Sequence, residues 1–182
     1  MTNTVKEVQA SPSSILAGVI AATAAAVQSN TALAKIRPQA VTTLVSGSTT
    51  EVIVRAAGHE FTIDEPPTLA GTNLGASPVE HLLASLGACQ VITYQVWAAK
   101  LGIALDSVEV SLAGDLDVQG FFGLDPNVRP GFQSIDLTVR LNGPETNDRY
   151  AHLTKIVDEH CPVLDVLTVG VPVNSTFSYN AN

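Results

Sequence analysis

Charge is scarce in this chain. Only 14% of its 182 residues are charged, with Lys plus Arg at 9, Asp plus Glu at 17, and a net charge of −8. A protein that grips a phosphate backbone needs a basic footprint, so this balance argues against nucleic acid as a partner. It also disfavours anionic membrane surfaces. Aromatic residues are few, at 5%. Cysteine is limited to Cys89 and Cys161, too few for a disulfide scaffold or a closed cysteine-rich zinc site. The four histidines show no metal-binding spacing such as H-E-x-x-H, and no nucleophile elbow, Walker loop or dinucleotide fingerprint occurs.

Hydrophobic residues are abundant instead, at 46%. The mean hydropathy of +0.26 excludes an intrinsically disordered chain. So little charge leaves apolar surface that an oligomer would cover. Residues 15–27 form an apolar run, but the leader has only Lys6, balanced by Glu7, and so lacks a signal peptide's positive flank. An Ala-rich helix over 14–28 is expected. A second apolar run, 82–99, approaches membrane-spanning length. Gln90, Thr93, Tyr94 and Gln95 would be costly in lipid, so a buried helix of a non-membrane protein is expected.

The chain divides into residues 1–40, a tail and Ala-rich helix, and residues 41–182, one α+β domain. Runs 41–45, 51–56 and 59–63 read as strands, with a hairpin at Ala57-Gly58. The prolines and glycines of 65–75 mark a loop. Ser77, Pro78 and Glu80 form the opening of a helix over 77–101, with an S-x-x-E capping box at its start and Gly102 at its end. Because that helix is apolar nearly all round, burial on every side is expected. Strands are predicted at 107–116 and 135–141, a loop at 120–133, a helix at 148–159, a short helix after Pro162, and a closing strand at 169–179.

Both cysteines admit two readings. Cys89, in mid-helix, is either a small packed hydrophobe or a reactive thiol served by a cation from elsewhere in the fold. Cys161 is either a packed loop residue or the N-cap of a helix starting at Pro162, where the helix dipole would favour its thiolate. Their 72-residue separation (161 − 89) does not say whether they meet.

The segment PVEHLLASLGAC, ending at Cys89, resembles the active-site helix of the OsmC/Ohr family (osmotically induced and organic hydroperoxide resistance proteins), closer to its OsmC-like branch. The resemblance runs through DEPPTLAGTNLGA, KLGIALDSVEVSLAGDLDVQGFFGLD, VRPGFQ and EHCPVLDVLTVGVPV, over about 52–173. It implies an OsmC-like fold in which antiparallel sheets wrap long central helices in an intertwined homodimer. It implies a thiol peroxidase that reduces organic hydroperoxides, with Cys89 peroxidatic, Cys161 resolving, a dithiol as reductant and no prosthetic group. An arginine would hold the thiolate and a glutamate would orient that arginine. This chain departs from the pattern at both positions: the SGSTT turn carries no arginine, and Val79 stands where the glutamate falls. Arg55 and Arg129 are the available substitutes, Arg129 preferred, and Glu80 is the nearest carboxylate, equally readable as the helix cap. The competing expectation is an OsmC-like protein without efficient turnover that binds a small apolar ligand at the dimer interface. Two thiols and an incomplete leader suggest the cytoplasm.

Overall fold

The computed structural model describes residues 11–179. Most of the tail expected ahead of residue 14 lies outside them. Helix α1, Pro12–Ser29, opens with Ser11, whose hydroxyl accepts from the Ser14 N–H. A single 3-10 turn at Thr31–Ala34 follows. Strands β1 (Ala40–Leu44), β2 (Val52–Ala56) and β3 (His59–Ile63) form an antiparallel sheet in that order. The β2–β3 hairpin turns at Ala57 and Gly58, both with positive φ, as a two-residue turn matched to strand twist requires.

Helix α2, Pro78–Leu101, carries the full capping box. Beyond it, β4 (Ser107–Leu116) and β5 (Phe132–Asn142) pair antiparallel along their length. Alternate residues of both strands turn inward, the period-2 pattern of a sheet covered on one face. Between them lies the short helix α3, Val118–Phe121. The sequence suggested only loop from residue 120, because four residues cannot carry a periodic signal. Helices α4 (Asn147–His160) and α5 (Pro162–Val169) end the regular structure.

The core gathers Tyr94 and Ala98 of α2, Ile103, and Leu153 and Val157 of α4. Helix α2 packs on β4, and Gly87 permits the approach: a Cβ there would lie 2.9 Å from Leu112 Cδ1. The expected burial of α2 on every side does not hold within this chain. Leu86, Gly87, Gln90, Thr93, Tyr94 and Ala98 are buried, while Leu82 and Ile92 stay 38% and 63% exposed. The chain's own sheet and helices cover one face of α2 and part of its flanks. The closing strand expected at 169–179 is also absent. Residues 170–179 form no strand: they pair with none of the described strands, and Val173, Phe177 and Tyr179 are exposed.

Helix α1 packs against α2, and its half-buried residues Leu16, Ala17, Ile20 and Val27 supply the contact face. Ile20→Asp is expected to cost about 1–2 kcal/mol, because a charge would replace partly covered hydrocarbon. Urea unfolding of the full chain measures this. An unchanged midpoint would mean that α1 adds nothing to stability.

Candidate functional site

The end of α4 and the start of α5 meet α2 around the thiols. Cys89 lies mid-way along α2, half-buried. Cys161 is 1% exposed and joins α4 to α5 as the N-cap of α5, with Pro162 as the first helical residue. Both are free thiols, and the two side chains are neighbours. The question left open by a 72-residue separation is thus decided by packing of α5 against α2.

The expected acidification of Cys161 by its helix start does not prevail. Burial pushes its pKa up, the neighbouring Cys89 adds to the rise, and the backbone N–H groups of Leu164 and Val163 oppose it only in part. A sulfur with almost no solvent contact loses more from desolvation of its thiolate than one helix turn returns. His160 does not turn toward it. Its ring stacks on Trp97 at 4.3 Å, and its Nδ1 donates to the Ile156 carbonyl.

An apolar cavity of about 390 Å³ opens between residues of α2, α5 and β5, the two helices that carry the thiols among them, though neither cysteine lines it. Leu82 and Leu86 form one wall, about two turns and one turn before Cys89 respectively. Leu164 and Leu167 form another, within two turns after Cys161. Phe132, Ile135 and Leu137 of β5 complete the apolar lining, and Arg129 is the one cation among its residues. Phe121 and Phe122 pack edge to face on each other, are exposed, and do not line it.

The other named residues sort differently. Arg55 pairs with Glu60 across the β2–β3 hairpin at 2.8 Å, both side chains exposed. Glu80 closes the α2 cap: its carboxylate accepts from the Ser77 N–H at 2.7 Å and from the Ser77 hydroxyl at 2.8 Å. These bonds hold its pKa below the ordinary value. Nine residues of helix separate it from Cys89, about 13 Å along the axis and half a turn round, so the two do not meet within one chain.

Two buried groups escaped the sequence reading. Asp64 is 1% exposed at the end of β3. Its carboxylate accepts from the Thr50 hydroxyl, the Glu65 N–H, the Thr72 N–H and hydroxyl, and the Leu74 N–H. It thereby ties the β1–β2 connection to the loop that leads into α2. The second is Gln90, wholly buried with neither side-chain amide atom partnered among the described residues.

The helix-on-sheet architecture and the facing thiols define an α+β protein of OsmC-like fold. The OsmC-like protein model matches residues 71–176, and the chain belongs to that family. Solved structures agree on the fold. An OsmC-like protein from Mycoplasma pneumoniae is 19% identical, covers 73% of this chain and 88% of its own, and superposes with a TM-score of 0.64. An OsmC-like protein of unknown function from Vibrio cholerae is 14% identical over 74% of this chain and 95% of its own, with a TM-score of 0.60. An organic hydroperoxide resistance protein OsmC from Legionella pneumophila is 18% identical over 73% of this chain and 90% of its own, with a TM-score of 0.55. No curated protein matches the sequence.

Proposed function

We propose that this protein is a two-cysteine peroxidase that reduces organic hydroperoxides. The observation that carries the reading is that Cys89 and Cys161 are neighbours on helices whose leucines line an apolar cavity. Cys89 is the more accessible sulfur and acts first. Its thiolate attacks the distal peroxide oxygen, the O–O bond breaks, and the alkoxide leaves and takes a proton as the alcohol. Cys89 is left as a sulfenic acid. Cys161 then attacks that sulfur; its proton leaves with the hydroxyl as water, and a disulfide remains. An external dithiol reduces the bridge by exchange. A buried, protonated Cys161 suits this second role, since it is a poor nucleophile until an electrophilic sulfur stands beside it.

In this reading Arg129 supplies the positive charge that favours the Cys89 thiolate, and the leucine-lined cavity takes the alkyl body of the substrate. Glu80 serves as a helix cap. A second copy of the chain completes the fold. Residues 82, 85, 89, 92 and 96 of α2 repeat with alternating spacings of three and four, the seam of a paired helix. Leu82, Ser85 and Ile92 on it are exposed. Pairing there would bring Cys89 to the dimer interface and cover the apolar surface that a single chain leaves open. A reducing compartment such as the cytoplasm would keep both thiols ready.

The test is a thiol count. Pre-reduced protein treated with a slight excess of cumene hydroperoxide is expected to lose both thiols per chain and yield one equivalent of alcohol. Two thiols still titratable after exposure, with an apolar ligand raising Tm, would instead support a binding protein without turnover.

A further inference from the structure

Arg129 can serve the thiol only if its loop is held in place, and the structure shows what holds it. The loop from α3 to β5 is rich in glycine and proline, and Arg129 lies between Val128 and Pro130. No salt bridge fixes its side chain among the described residues. Its backbone is fixed instead. The Gln133 side-chain amide Nε2 donates to the Arg129 carbonyl at 3.2 Å and to the Gly131 carbonyl at 3.3 Å. One amide nitrogen thus clasps the chain on both sides of Pro130. The same carbonyl is confined from the opposite quarter by α3. A Cβ on Gly120 would lie 2.4 Å from the Arg129 oxygen and 2.6 Å from the Val128 oxygen. Only glycine lets the helix sit so close. Pro130 adds a third restraint, because the residue before a proline is driven to extended backbone. Gln133 lines the same cavity as Arg129.

We infer that Gln133 is a positioning residue, whose side-chain amide holds the 129–131 backbone so that Arg129 borders the cavity lined by Leu82 and Leu86 of the Cys89 helix. This rests on the role proposed above for Arg129. Gln133 acts on the backbone carbonyls and leaves the guanidinium free for the thiolate. A side chain serving only the fold would influence stability and not the ionisation of a sulfur elsewhere.

The experiment follows the alkylation rate of Cys89 by iodoacetamide against pH, in full-length protein carrying Cys161→Ser so that a single thiol reacts. Arg129→Ala is expected to move the midpoint up by about one pH unit, a roughly tenfold slower reaction near neutrality. Gln133→Met keeps size and neutrality and removes the donor. It is expected to slow the reaction about threefold in the same direction, with Gln133→Ala as a second variant and thermal melts to confirm folding. In the Arg129→Ala background, Gln133→Met should add nothing. An unchanged profile for Gln133→Met, when Arg129→Ala shifts it, overturns the inference and leaves the arginine's role intact. A Gln133 effect that persists without Arg129 overturns it too. An unchanged profile for Arg129→Ala removes the premise itself.

Discussion

Cys89→Ser is expected to abolish hydroperoxide consumption, lowering the rate by roughly three orders of magnitude or more, since a hydroxyl at neutral pH does not replace a thiolate as nucleophile. The fold should survive, because the exchange removes little volume from a half-buried site. Cys161→Ser should behave differently. It retains the first chemical step, so about one equivalent of peroxide is reduced, after which Cys89 stops at the sulfenic acid. Trapping with dimedone and mass spectrometry would locate that species on the peptide containing Cys89. Further peroxide should drive it to sulfinic acid, because the partner that normally intercepts it is gone. Equal loss of the first turnover in both variants would contradict the assignment of roles. Full activity in Cys89→Ser would end the peroxidase reading altogether.

The second large effect is on stability, at Asp64→Asn. The variant keeps the shape of the side chain and replaces an acceptor by a donor, facing N–H and hydroxyl groups that already donate. A fall in Tm on the order of 5–10 °C is expected. The wild-type contribution also has a pH signature. The hydroxyls of Thr50 and Thr72 and the N–H groups of Thr72 and Leu74 hold the carboxyl well below the ordinary value of 3.8, more than burial raises it. The group therefore binds its proton more weakly folded than unfolded. Its stabilisation is fully present above the ordinary carboxylate range and is lost as pH falls through the depressed value. Urea unfolding at a series of pH values should show a constant difference between wild type and Asp64→Asn near neutrality, narrowing below about pH 4. A difference independent of pH would mean that charge plays no part.

That the α2 capping box, the Ala57-Gly58 hairpin and the β4 boundaries were readable in advance has a common cause. Each is written in contiguous residues: a hydroxyl three positions from its glutamate, a glycine where φ must be positive, an alternation with period two. The family was legible for a related reason, since the run from Pro78 to Cys89 is long and ordered. Where local pattern was misleading, a neighbour was missing from the calculation. Residues 169–179 have the composition of a strand, yet 170–179 pair with no strand among the described residues, because composition does not encode a pairing partner. Cys161 sits at the N-cap as its proline suggested, but the depth of burial there, which governs its pKa, is set by α2 and α4 packing over it.

By itself, then, the amino-acid sequence determined the elements, the family and the identity of the two sulfurs, because these depend on groups a few residues apart. Only the tertiary structure decided that those sulfurs are neighbours, that Arg129 rather than Arg55 borders the leucine-lined cavity, and that Asp64 gathers donors from three segments. Contacts between residues 14 or 72 positions apart are fixed by how helices seat on a sheet, and no local periodicity encodes that seating.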